Sequence, residues 1–434
     1  MTHAARSVRG RALRRTGLLV PRAALAGALI SLGSLPSPQG AVVVVSDPTG
    51  AERRCAVPVS VEVNLGQLAG PSGTAVPLRL VERGSAGKTR ELPAQFLPAQ
   101  PGSARGKLQW LLPPGRGGRQ WTVQLGGRPV PAPMQAEKDQ RTGRWDIRDA
   151  GKLVLGYNYQ TNEPGELLAK IQPGNLKYAR PRSDYIHPLC GLDGEVLTKD
   201  WSVDHPHHRG IYWAWPEVDY RGERGDLHAL QRVFARPSGT CAGQSGPVIA
   251  QIDAENLWLW EDREPIVRER AVIRAWRADA DGRFVDLEFR FTALKENVAV
   301  ARRETKLYGG LNLRMAAVKD QQIALHTDPP GADPRRAWAD LSGTFAGGER
   351  AAGLTVLQNP ANPDFPGDWI KYPELNWFQP TFPAAGTRYV LKKDQPLVLR
   401  YRLWIHRGTA AEPILADLWS AYVNPPNASL VNSK

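Results

Sequence analysis

Three histidines crowd into Asp204-His205-Pro206-His207-His208-Arg209-Gly210, just ahead of the aromatic run Ile211-Tyr212-Trp213-Ala214-Trp215. Neutral imidazole is the commonest metal ligand, and an imidazole beside a carboxylate moves protons near neutral pH. In an extended segment His205 and His207 share one face while Asp204 and His208 project to the other, with Pro206 stiffening the loop. Three uses fit. His205 and His207 bind one divalent metal ion, with His187, His406 or Asp204 completing its shell. Alternatively His207 or His208, its tautomer fixed by Asp204, works as general acid or base with Arg209 nearby. In the blandest use the imidazoles satisfy backbone groups of a buried turn. No HExxH or paired-cysteine spacing accompanies the loop.

Other side chains converge on the same chemistry. Trp213 and Trp215 fall on one face of the following strand, where they either stack on the apolar face of a sugar ring or fill the core between two sheets. Lys306-Leu307-Tyr308-Gly309-Gly310-Leu311-Asn312-Leu313-Arg314 combines two cations, a phenol and a glycine pair. Lys306, Tyr308 and Arg314 there suit an anionic or hydroxylated ligand, and a glycine bulge between strands is the structural alternative. Asp364-Phe365-Pro366-Gly367-Asp368-Trp369 and Asn376-Trp377-Phe378 read as an aromatic loop that roofs a pocket.

The elements that must position these groups are strands. Val285, Leu287, Phe289 and Phe291 alternate with Asp286, Glu288 and Arg290, a period of two. Leu397, Leu399, Tyr401, Leu403 and Ile405 form a second such face, which places His406 on the opposite, polar side, toward a cleft or solvent. Short apolar runs at 57–63, 77–81 and 120–125, set between Gly/Pro turns, predict a small β-sandwich over 42–133. Pro129-Val130-Pro131-Ala132-Pro133 reads as a stiff connector to a larger antiparallel β-sandwich over 140–410 that carries the histidines. Pro413, followed by Ile414, Leu415, Leu418, Trp419 and Tyr422 at helical spacing, predicts a short C-terminal helix within 411–434, with 424–434 as a polar tail. The fold class is therefore all-β.

With 434 residues and 42% hydrophobic content the chain can core two domains, and its 42 glycines and 37 prolines suit many short strands. The formal charge of +13 is concentrated in a leader, where Arg6, Arg9, Arg11, Arg14, Arg15 and Arg22 precede residue 40 without one acid. Elsewhere basic and acidic residues are interspersed, which argues against a nucleic-acid groove. The Arg-rich start, the apolar run 23–32 and the Ser/Pro/Gly residues ending near Ala41 have the layout of a signal peptide over 1–41. Export to the periplasm or the extracellular space follows, with no stable membrane insertion beyond the signal, since the apolar run is too short to span a bilayer. Arg14-Arg15 loosely resembles a twin-arginine signal. Cys55, Cys190 and Cys241 allow one bridge at most, between Cys190 and Cys241, and read as buried thiols.

On Tyr185-Ile186-His187-Pro188-Leu189, Gly194 to Asp200, Asp204 to Gly210, Lys306 to Arg314, Ala339 to Gly343, Asn362-Pro363 and Tyr401 to His406, the sequence resembles a secreted bacterial family labelled PmoA, or methane oxygenase. The resemblance covers most of residues 140–408. It implies a large β-sandwich of the mutarotase-like kind and a setting among carbohydrate-degrading genes. An oxygenase membrane subunit is a multi-helix span, and this chain has no such helices, so the label's chemistry does not carry over. Relatives carry Lys-Glu at the position of Lys306-Leu307, so no carboxylate role is transferred there; Glu304 and Glu296 are the substitutes at hand. The expectation is an exported carbohydrate-active protein, an enzyme using histidine acid/base chemistry on a glycan or modified sugar. The alternatives are a non-catalytic glycan-binding envelope protein and a metal-dependent redox or hydrolytic protein.

Overall fold

The computed structural model describes residues 41–46, 52–65, 78–83, 89–100, 102–116, 119–126, 128, 130–326 and 337–432. The leader with its Arg14-Arg15 pair lies outside the described residues, as does Pro129 of the connector. Alternating sequence builds two eight-stranded antiparallel sheets. The front sheet runs, edge to edge, Trp369–Tyr372, Trp377–Pro380, Gly310–Arg314, Ile211–Ala214, Tyr185–Leu189, Lys152–Asn158, Trp145–Asp149, Met134–Lys138. The back sheet runs Val233–Gln244, Ile249–Trp260, Glu264–Trp276, Gly282–Ala293, Leu397–Arg407, Ala352–Gln358, Trp338–Phe345, Val318–His326. Val285, Leu287, Phe289 and Phe291 are buried while Arg290 is exposed, and Leu397 through Ile405 bury the predicted face. Those inward faces meet the front sheet's Ile186, Ile211, Trp213 and Leu313 in one apolar core.

One polar node interrupts that core. Tyr157 and Asp184 come from the front side and Asn256, Trp258 and Glu269 from the back sheet. The Asp184 carboxylate accepts hydrogen bonds from the Tyr157 hydroxyl at 2.8 Å and the Asn256 amide at 3.0 Å, and Glu269 accepts one from the Trp258 indole at 2.7 Å. Burial, and next the charge of Asp184, raise the Glu269 carboxyl well above its ordinary value. Burial raises Asp184 as well, so the coupled pair holds a proton as a unit.

The small N-terminal sandwich also forms. Val57–Asn64, Arg105–Leu112 and Gln95–Pro98 make one sheet, and Ala41–Ser46, Arg119–Leu125, Leu78–Arg83 and Thr89–Pro93 make most of the other. Its fifth strand is Asn427–Asn432, which pairs antiparallel along the whole of Ala41–Ser46. Residues 427–432 are thus not a tail. Ala428 and Leu430 pack on the small sandwich's core, and that alternation is what recruits the segment. The helix Glu412–Val423 starts at the predicted proline and buries Leu415, Leu418 and Trp419. This second core also takes in Trp276, Phe284, Trp338 and Trp404 from the outer side of the back sheet.

That shared core explains one correction. His406 does lie opposite Tyr401 and Leu403, yet it reaches neither cleft nor solvent, because its end of the back sheet is covered. Its Nε2 sits 2.9 Å from Asp340 Oδ1, its ring stacks on Trp404 at 4.6 Å, and Gly353 leaves the space, since a Cβ there would stand 2.3 Å from the imidazole. Cys55, Cys190 and Cys241 are free thiols, the first two buried. Among the described residues no helix is long and apolar enough to cross a membrane.

Candidate functional site

The histidine loop is a turn, not an extended segment. The His208 amide donates to the His205 carbonyl at 2.9 Å, closing a four-residue turn with Pro206 at its second position, where a fixed φ suits it. Gly210 ends the loop at φ +57° with the Ile186 carbonyl so close that a Cβ would stand 2.2 Å from it. The turn separates the imidazoles by role. His207 and His208 swing inward, their ring centres 4.6 Å apart, while His205 points back to Asp204.

The inward pair meets a third imidazole that sequence reasoning missed. His228 sits in the turn after Glu223–Gly225, held by its amide on the Trp215 carbonyl, with its ring 4.6 Å from His207 and 5.2 Å from His208. One ring nitrogen from each of the three lies within 4.8 Å of the others. His228 Nδ1 is engaged by the Tyr212 hydroxyl at 3.0 Å, whereas Nδ1 of His207 and Nδ1 of His208 are buried without a hydrogen-bond partner. Burial, and then the neighbouring imidazoles and arginines, hold all three neutral: His207 falls to about 3, and His208 and His228 lie well below their ordinary value. The imidazoles whose ring nitrogens converge are His207, His208 and His228, a group that does not include His205. Burial thus favours the neutral form of His207 and His208, the form in which an imidazole accepts a proton or binds a metal.

His205 is the imidazole that meets a carboxylate. Its Nδ1 lies 2.9 Å from Asp204 Oδ2, and its side chain is 39% exposed against 52% for Asp204. Partial burial would raise the Asp204 carboxyl, but hydrogen bonds from Ser202 and His205 and the Arg314 charge outweigh it and hold the group below the usual carboxylate range. Arg314 is buried, donates to Ser202 at 3.2 Å and approaches Asp204 Oδ2 at 3.4 Å, so it fixes the acid, while its Nε and Nη1 have no hydrogen-bond partner.

These groups open on a cavity of about 400 Å³. Tyr178, Tyr308, Tyr372 and Trp377 wall it, Asn175 and Arg303 supply polar atoms, and Asp204, His205, His207, His208 and His228 form its floor and side. Tyr372 stacks on Trp377 at 4.8 Å, and Trp377 lies 4.9 Å from His208. Arg303 donates to Asp226 at 2.7 Å. Of the two segments expected to roof a pocket, Trp377 of the second reaches the cavity, joined by Tyr372 from outside both, while Asp368 of the first pairs with Arg302 elsewhere.

Several predicted residues lie outside it. Trp213 and Trp215 point between the two large sheets, stacked at 4.6 Å with the Phe289 and Phe291 edges 4.9 and 5.0 Å from Trp213, so they are core and not a sugar platform. Arg209 is fully buried between Trp201 and Tyr185 and paired with Asp200, where it braces the turn from behind. His187 is bonded to Thr198 at 3.0 Å and lowered by burial, behind the cavity. Lys306 is exposed and its carbonyl accepts from Arg302, leaving Tyr308 as the contribution of that segment. Glu296 pairs with Lys393, and Glu304 points to solvent.

Residues 144–420, which include every histidine of the site, match the model of DUF6807, a family of unknown function. No curated protein matches the chain.

Proposed function

We propose that this chain, which belongs to the DUF6807 family, is an exported carbohydrate-active enzyme whose cavity receives a sugar unit and whose proton-handling group is His205, oriented by Asp204. The observation that carries the reading is the Asp204–His205 pair opening beside aromatic walls. With Nδ1 held to an ionised carboxylate, the imidazole is fixed in the tautomer whose Nε2 accepts a proton, the arrangement general-base catalysis needs. Tyr178, Tyr308, Tyr372 and Trp377 offer apolar ring faces and phenol hydroxyls, which match the C–H faces and hydroxyl rim of a sugar. The volume lies in the range of roughly 300 to 1,000 Å³ typical of ligand pockets. The Arg-rich leader with its apolar run supports export.

A glycan panel assayed by turnover and by calorimetric binding tests the proposal. Asp204→Asn and His205→Ala are expected to lose turnover while keeping affinity, and Trp377→Ala to lose affinity. Turnover that survives in both of the first two variants would remove His205 from the chemistry; binding without turnover in the wild type would leave a glycan-binding protein instead.

A further inference from the structure

We infer that His207, His208 and His228 form a binding site for one divalent transition-metal ion, with its open coordination position facing the cavity. This goes beyond the sugar reading and stands whether or not the cavity takes a sugar. The geometry is near what such an ion needs. A tetrahedral zinc with bonds of about 2.0–2.1 Å to each nitrogen requires nitrogens about 3.3 Å apart, and these lie within 4.8 Å of one another. Closing the set takes an inward movement of less than about 1 Å per ring.

Three further observations point to a ligand. Two buried Nδ1 atoms, on His207 and His208, lack any hydrogen-bond partner, a state that folded proteins seldom tolerate without a reason. His228 has its Nδ1 engaged by Tyr212, which leaves Nε2 as its metal-facing atom and supplies the outer hydrogen bond that metal-bound histidines typically make. The three imidazoles come from two turns separated by twenty residues, and both turns are fixed from behind, by Arg209 against Asp200 and by Arg182 donating to the Leu227 and His228 carbonyls at 2.7 and 2.6 Å. Mere packing of rings would not require the nitrogens to converge.

The chemistry of the set selects the ion. Three neutral imidazoles and no carboxylate suit zinc or a similar borderline cation and not magnesium or calcium, which take oxygen ligands. Nearby arginines do not forbid it: Arg303 is paired with Asp226 and Arg314 with Asp204. Arg182 is engaged behind the turn by the Leu227 and His228 carbonyls. The open coordination position lies beside His205, whose ring centre is 4.9 Å from that of His208.

The full-length protein, stripped with a chelator, re-equilibrated with Zn²⁺ and passed through gel filtration, is expected to retain one zinc per chain by elemental analysis, undiminished by excess Mg²⁺. In competition with a chromophoric chelator, His228→Asn and His208→Asn weaken zinc at least about 100-fold, while His326→Asn, on the back sheet's edge strand where the imidazole stacks on Trp338, leaves it within a few-fold. His228→Cys, which keeps a metal-binding atom, restores binding and so separates a lost ligand from a misfolded chain. Folded wild type without retained zinc, or equal affinity in wild type and His228→Asn, overturns the inference.

Discussion

Replacing Glu269 by Gln should change how stability depends on pH, and the structure gives both the sign and the slope. Glu269 is buried between the two large sheets, and its carboxyl is raised well above the ordinary value of 4.5 by burial and then by Asp184. The folded protein therefore keeps a proton that the unfolded chain releases above that value. Fewer protons are bound by the unfolded state, so stability falls as pH rises, by about 1.4 kcal/mol per pH unit for one proton. The loss begins at the unfolded value and stops at the raised folded one. Glutamine still donates to Asp184 and fills nearly the same volume, but it does not titrate. Urea unfolding of both proteins from about pH 5 to about pH 7 is the assay, read as the difference in unfolding free energy. The buried histidines, whose folded values are lowered, lose stability in the opposite direction, as pH falls below 6.5, and they cancel in that difference. The variant should gain on the wild type by about 1.4 kcal/mol with each unit of rising pH. A difference that stays constant across the window would refute the shared proton.

Three further outcomes follow from packing. Trp213→Ala should lower stability by about 3–5 kcal/mol, measured by denaturant unfolding, because a buried indole among Phe289, Phe291 and Trp215 is removed; a loss below about 1 kcal/mol would restore a surface role. Gly210→Ala should cost about 1–3 kcal/mol through its left-handed φ, and more through the clash with the Ile186 carbonyl, and should reduce zinc retention because the turn pivots there. His406→Ala should destabilise the protein by leaving Asp340 with one fewer buried partner, yet leave ligand and zinc affinity of the folded fraction unchanged.

The parts of the fold written as local periodicity were legible. Period-two runs at 285–291 and 397–405 and a proline-led helical stripe at 413–422 became two strands and a helix at the expected places. Three histidines of the loop singled out by their clustering line the cavity. What local pattern does not contain is which face another layer will cover. Trp213 and Trp215 share a face by spacing alone, and only the arrival of the back sheet makes that face dry. His406 is on the predicted side of its strand, and the small sandwich with its helix seals that side. His228 is a lone histidine twenty residues beyond the cluster, with no spacing that announces it. One signal was available: proline between two histidines favours a tight turn, and a turn, unlike an extended segment, brings His205 beside His208, with ring centres 4.9 Å apart.

The pairing of Ala41–Ser46 with Asn427–Asn432 has a consequence for biogenesis. Among the described strands the first made waits for the last, so the small sandwich keeps an open backbone edge of Val42, Val43, Val44 and Val45 until Asn427–Asn432 has been made. An unguarded valine-rich edge is a template for association with other chains. That edge therefore needs shielding until residues 427–432 arrive, and any product ending before residue 427 would present it permanently.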